Sequence, residues 1–239
     1  EGDLIVGLTH NQMELLASTQ VDKASLWNLP VVMAQGKHAG STVSVTLHGA
    51  HLAGIEVFAT GGIGGVHHED FDESADLPAL AKYPVITVCA GPKSILNVKA
   101  TLERLETYGV PIVGYRSDYL AGFHLAQTSY KLPARAESVQ EIAKALLAQE
   151  LLKINSGLLV SNPVSQGIDP KTLESWIHQA HQLATAQNIQ GKDVTPFLLS
   201  NLADLSQGKT VEVNLRLLKE NAELATHIAL ALSKMRQAQ

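Results

Sequence analysis

The segment Val85-Ile-Thr-Val-Cys-Ala90 is an uninterrupted apolar run of strand length, stopped by Gly91-Pro92 and followed, after Lys93-Ser94, by apolar residues at helical spacing from Ile95 to Tyr108. A strand without polar alternation has to be covered on both faces, and parallel sheets flanked by helices meet that demand. The same grammar recurs along the chain. Strand-like runs at 55–59, 112–115 and 157–161 alternate with helical patterns at 74–82, 95–108 and 139–154, and three more helical patterns follow at 171–188, 196–206 and 211–236. The expected fold is α/β, three-layer α/β/α with a mostly parallel, Rossmann-like central sheet and a helical C-terminal region. With 239 residues, no internal repeat and no linker composition, residues 1–239 read as a single domain. Upstream of these units, Thr9 with Gln12 reads as a capping box opening a helix through Met13, Leu15 and Leu16. Val31-Val-Met-Ala34 reads as a short strand, and the polar loop 36–42 leads into a helix through Val43, Leu47 and Leu52.

Composition removes several function classes. A formal charge of −5 and a pI near 6.1 argue against a nucleic-acid-coating surface. No apolar run reaches the ~20 residues needed to cross a bilayer, so no membrane partner is expected. The lone Cys89, inside an apolar strand, reads as a buried inert thiol and suits a cytoplasmic protein. The first residue is Glu1 rather than methionine, so the chain is read as processed or incomplete at its start.

The chemistry is concentrated around Lys93, which the pattern puts between a strand's carboxyl end and a helix start. That crevice is where open α/β sheets bind ligands, and a partly desolvated lysine there can lose its proton and act as a nucleophile. A solvated first-turn lysine is the plainer reading. Thr60-Gly-Gly-Ile-Gly-Gly-Val-His67 sets four glycines in five positions directly after a strand. It fits neither the dinucleotide fingerprint, whose third glycine would fall at His67, nor the triphosphate loop. Either a backbone cradle for an anion or a tight strand-to-helix turn would use such glycines. Asp72 and Asp76 stand four apart, with Ser74 between them. Carboxylates on one side of a helix there would suit Mg²⁺ or Mn²⁺, whereas capping by Asp72 beside a solvated Asp76 is the alternative. His67 and His68 could add nitrogen ligands, although no strong histidine–metal pattern is present. Lys23 and Lys37 lie in polar stretches, suited to an anionic group or to solvent. Asn214 and Asn221, seven apart on the last helix, form either a polar edge facing a site or, more simply, a hydrophilic stripe.

In combination and in this order, the motifs resemble the pseudouridine-5′-phosphate glycosidase family. The resemblance runs from about Val6 to the C-terminal helix. It is densest in Leu29-Pro30, Gly36-Lys37, Val57-Phe-Ala-Thr-Gly-Gly-Ile-Gly-Gly-Val-His67, Phe71-Asp72, Ser74-Ala-Asp76, Val88-Cys-Ala-Gly91, Lys93-Ser-Ile-Leu96, Gly114-Tyr115, Asn162-Pro163 and Gly191-Lys192. It implies reversible cleavage of the C–C glycosidic bond of pseudouridine 5′-phosphate to uracil and ribose 5-phosphate. It also implies that Lys93 is the catalytic amine, held as an imine-type adduct with C1′, and that Asp72 is a Mn²⁺ ligand. Substrate contacts are implied for Lys23, Val43 and the Ser74, Ala75, Asp76 segment. The partners implied are the small-molecule substrate and, through self-association, a homotrimer.

The chain departs from the family pattern at identifiable places. The family's opening segment, with Glu-Ser-Thr and its proton-donor glutamate, is not in this sequence, and Glu1 does not substitute for it. The loop between His67 and Phe71 is short, His68 stands where arginine is common, and no basic residue lies near Ala126. A truncated family member, or alternatively a catalytically impaired sugar-phosphate binder, is the expectation.

Overall fold

The computed structural model describes residues 2–68 and 72–238. Its centre is a five-stranded sheet, β3 (Val57–Ala59), β4 (Ile86–Cys89), β7 (Leu158–Ser161), β5 (Ile112–Tyr115) and β6 (Arg135–Ala136), in that spatial order and parallel throughout. The register sets Val88 against Val160 and Val113 against Val160, so β7 and β4 lie inside the sheet while β3 forms an edge. Side-chain alternation sorts the apolar residues into two cores. Ile86, Val88, Leu158 and Val160 pack against α6 (Val139–Leu151) and α9 (Lys209–Gln237), through Ile142, Leu146, Ile228 and Leu232. Cys89 and Leu159 point the other way, into α3 (Val43–Leu52), α4 (Asp76–Lys82) and α5 (Val98–Thr107), through Leu47, Leu77, Leu80 and Leu105. Two covered faces explain why these strands carry no polar alternation, and the α/β/α expectation holds. The Cys89 thiol is fully buried and desolvation raises its pKa to about 12, so it stays protonated.

A third layer of packing bears on function. Helices α7 (Pro170–Ala186) and α8 (Val194–Leu205) close a satellite core on Ile95 and Leu96, the residues just after Lys93-Ser94. The α/β units thus receive a helical cover at the carboxyl end of β4.

The N-terminal region corrects two sequence readings. The helix capped by Thr9 forms as expected, α1 (His10–Ser18), with both halves of the capping box made. Residues 31–34 are helical, however, belonging to α2 (Leu29–Ala34) with Pro30 in its first turn, where the missing N–H is no loss. A four-residue apolar run has no periodicity by which to distinguish strand from helix, and Val32 alone is buried. The strands of this region lie instead in segments that looked like polar loops: β1 (Asp22–Ala24) and β2 (Ala39–Ser41) form a separate parallel pair, with Lys23 opposite Gly40.

Asn221 corrects a third reading. It is fully buried rather than part of a hydrophilic stripe. Its Oδ1 accepts from Asn162 Nδ2 at 3.0 Å and its Nδ2 donates to the Thr60 carbonyl at 2.8 Å, so α9 is latched to the ends of β7 and β3. Asn221→Leu leaves a buried amide and carbonyl unpaired and is expected to lower stability by about 3 kcal/mol in urea unfolding. A loss under about 0.5 kcal/mol would exclude the latch.

Candidate active site

Lys93 lies in the irregular connection between β4 and α5. Since α5 begins at Val98, Lys93 is not in a helix's first turn, which corrects the sequence placement. Its N–H donates to the Ile63 carbonyl at 3.1 Å, and Pro92 forms a parallel bridge with Ile63, so the lysine is carried alongside the glycine-rich loop. Burial pushes the Lys93 amine below the ordinary lysine pKa. The charge of Asp76 raises it in part, and that of Lys23 lowers it further. Lys93 is thus half-buried rather than freely solvated, and two other residues singled out from the sequence, Asp76 and Lys23, act on it electrostatically.

Asp76 is the organising carboxylate. Only 5 % exposed, it accepts from Ser44 N at 2.9 Å and from Gly64 N at 2.8 Å. Ser44 belongs to the first turn of α3, so the negative charge lies on the positive end of that helix as well as on the glycine-rich loop. The Asp76 N–H in turn donates to Ser74 Oγ at 3.2 Å, and Ala75 is the N-cap of α4. Val43 opens α3 beside this clamp. The notion of Asp72 and Asp76 side by side on one helix does not hold. The helix starts only at Asp76, while Asp72 sits in a bridged loop whose carbonyl accepts from His67 N at 2.9 Å.

The glycine-rich loop owes its composition mainly to close packing. The N–H groups of Ile63, Gly64, Val66 and His67 are engaged by Gly91 O, Asp76 Oδ2, Thr101 Oγ1 and Asp72 O respectively, which removes most of an anion cradle. A Cβ at Gly64 would stand 2.6 Å from Ser74 Cβ and 2.8 Å from Asp76 Oδ2. Only glycine lets the loop lie on the Ser74–Asp76 turn.

Asp72 is about one-third exposed, and among the described residues His67 Nδ1 lies 4.0 Å from its carboxylate. The loop beside it is pinned to α5 by Glu73, which takes both Arg104 Nε at 2.9 Å and Arg104 Nη2 at 2.7 Å. One carboxylate and one imidazole fit a hard divalent cation that keeps most of its water. No group of three or more His, Cys, Asp or Glu residues comes together among the described residues, so a closed structural metal site is not formed by them. Phe71 and residues 69–70 of the short His67–Phe71 loop lie outside the described residues.

Lys23 projects from β1, its carbonyl held by Asn28 Nδ2 at 3.1 Å, whereas Lys37 pairs with Asp22 at 3.1 Å on the surface and joins no site. Sequence reasoning missed the pairing of half-buried Ser94 with buried His124, whose Oγ and Nδ1 are 2.9 Å apart. Thirty residues separate them, His124 falls in an irregular stretch, and no spacing rule could link the two.

Known proteins resemble this chain in sequence and in fold. The model of the family described as indigoidine synthase A like protein matches residues 1–231. A pseudouridine-5′-phosphate glycosidase of Thermus thermophilus is 50 % identical over 232 residues, covering 97 % of this chain and 82 % of that protein. Among solved structures, the prealnumycin C-glycosynthase AlnA, in complex with ribulose 5-phosphate, superposes with a TM-score of 0.92 at 34 % identity, covering all of this chain and 80 % of its own. An indigoidine synthase A-like protein of Thermotoga maritima gives 0.89 at 35 % identity, covering 97 % of this chain and 77 % of that one. A match over nearly the whole chain, on a sheet that carries the lysine and glycine-rich loop side by side, means that this protein belongs to the pseudouridine-5′-phosphate glycosidase family.

Proposed function

We propose that this chain carries out the lysine chemistry of pseudouridine-5′-phosphate glycosidase: reversible cleavage of pseudouridine 5′-phosphate to uracil and ribose 5-phosphate through a covalent Lys93–ribose adduct. The observation that carries the reading is the partly buried Lys93 amine, its pKa lowered by desolvation, beside the clamped Asp76 carboxylate. The names of the Thermus relative and of AlnA, with its bound pentulose phosphate, support the substrate class.

A C–C glycosidic bond has a poor leaving group, and an amine gives a route around that. The neutral Lys93 Nζ attacks C1′, the C1′–O4′ bond breaks, O4′ gains a proton and Nζ loses one. After a proton from solvent reaches the uracil carbon, the Nζ lone pair forms C1′=N⁺ as the electrons of the C1′–C bond return to the base. Water then hydrolyses the iminium to release ribose 5-phosphate and regenerate the amine. Lys23, a compact cation, complements the phosphate, and Val43 with Ser74, Ala75 and Asp76 lines the substrate. Asp72, with His67 near it, would hold Mn²⁺, which supplies positive charge against the substrate's oxygens.

Incubation with ribose 5-phosphate and borohydride is expected to leave one pentose phosphate adduct on the Lys93 peptide. Its formation rate should rise with pH through an inflection below the ~10.4 of a free lysine, because burial disfavours the ammonium form. Absence of an adduct would sink the covalent reading and leave a sugar-phosphate binder. A cytoplasmic homotrimer belongs to the same proposal. Self-association is supported by an N-terminal lobe in which α1 buries none of its residues and Trp27 and Val31 are 76 % and 56 % exposed. Light scattering should give three times the 25.6 kDa chain mass, and a monomer at micromolar concentration would exclude it.

A further inference from the structure

The connection that carries Lys93 is fastened to the glycine-rich loop by its backbone. Lys93 N donates to Ile63 O at 3.1 Å and Asn97 N to Val66 O at 2.9 Å, while Leu96 N closes the local turn on Lys93 O at 3.0 Å. The residue next to the lysine is held differently. Ser94 Oγ meets His124 Nδ1 at 2.9 Å, a side-chain bond to a segment 30 residues away.

That segment is itself rigidly seated on the end of β4. Ala121 N donates to Ser161 Oγ at 2.9 Å, Phe123 N to Ala90 O at 2.7 Å, and His124 O accepts from Ile168 N at 2.7 Å. A Cβ at Gly62 would stand 2.6 Å from the Phe123 ring. Phe123 has φ 61°, a left-handed conformation that a bulky residue adopts only when its surroundings enforce it. The strained residue immediately precedes His124, whose ring lies 4.6 Å from that of Phe123.

His124 is fully buried, and its Nε2 has no hydrogen-bond partner among the described residues. Desolvation pushes its pKa down to about 4, so the imidazole is neutral at physiological pH. A half-satisfied buried imidazole is a poor core residue, and a leucine would fill the place without a desolvated nitrogen. What the imidazole does that leucine cannot is bond Ser94.

We propose that His124 is a positioning residue for Lys93: through Ser94 it fixes the conformation of the connection from which the amine reaches substrate. The functional consequence rests on the reading of Lys93 as the covalent nucleophile. The positioning itself does not.

The test uses His124→Leu, Ser94→Ala, His124→Asn, whose amide can stand in for Nδ1, and His124→Gln, whose amide reaches the Nε2 position instead. Amide hydrogen exchange is measured first, with no substrate. Protection of Leu96 and Asn97 should fall about ten-fold in His124→Leu, Ser94→Ala and His124→Gln, return in His124→Asn, and stay unchanged across β4. Trapping with ribose 5-phosphate and borohydride should then slow about ten-fold in the same three variants at an unchanged half-saturating concentration, with His124→Asn within about three-fold of wild type. The double variant His124→Leu/Ser94→Ala should be no worse than either single one. Unchanged exchange at Leu96 and Asn97 overturns the proposal, as does loss of His124→Asn together with the others. If the wild type itself forms no adduct, the covalent reading fails while the exchange data still decide the positioning.

Discussion

Lys93→Met is expected to abolish the trapped ribose 5-phosphate adduct and to lower uracil formation from pseudouridine 5′-phosphate by about 10³-fold or more relative to the same protein with lysine. It is expected to leave the melting temperature unchanged or slightly raised. The two outcomes belong together because the lysine is badly placed for stability. Its amine is desolvated, which works against the ammonium form, and the charge of Asp76 compensates only in part. Methionine fills similar volume without an ammonium to desolvate. Asp76 retains both of its backbone donors in the variant, so no buried carboxylate is orphaned. A variant that still forms adduct would place the nucleophile elsewhere. One that loses activity only by unfolding would show that the lysine is structural.

Asp76→Ala is expected to behave in the opposite manner, with a loss of about 3–5 kcal/mol in denaturant unfolding. Truncation strips the Ser44 and Gly64 N–H groups of a charged acceptor in a site that is 5 % exposed. It also removes the link between α3, the glycine-rich loop and the start of α4. Asp76→Asn should be intermediate, because its NH₂ must face one of two N–H donors. The asparagine variant carries a second readout. Without the negative charge that raises the Lys93 pKa, the inflection in the adduct-formation profile should move to lower pH. A stability change under about 1 kcal/mol would mean that the clamp is replaceable by water, and an unmoved inflection would mean that the amine does not sense the carboxylate.

The amino-acid sequence by itself determined the layered sheet and its element order. Apolar runs such as Ile86–Cys89 and Leu158–Ser161 have no polar alternation and cannot face water on either side, so their surroundings are dictated locally. The motifs around Lys93, Asp72 and Ser74-Ala-Asp76 were also legible, because each is a short contiguous string. Where a segment is too short to show a period, or its polar atoms find partners far along the chain, local reading went astray. Residues 31–34 looked extended and are helical, while β1 and β2 looked like loops and pair with each other.

Only the tertiary structure decided what the polar side chains do. Asp76 reads either as a cation ligand beside Asp72 or as a solvated carboxylate, and it is a buried clamp, since its donors are Ser44, 32 residues away, and Gly64. Asn221 reads as a site-facing edge or a hydrophilic stripe, and it latches α9 to Thr60 across 161 positions. Ser94 reads as the residue after the lysine, and its partner is His124. Hydrophobic periodicity is a local quantity that each segment carries on its own. Hydrogen-bond satisfaction in a buried site is a property of pairs, and the second member of each pair is chosen by the fold.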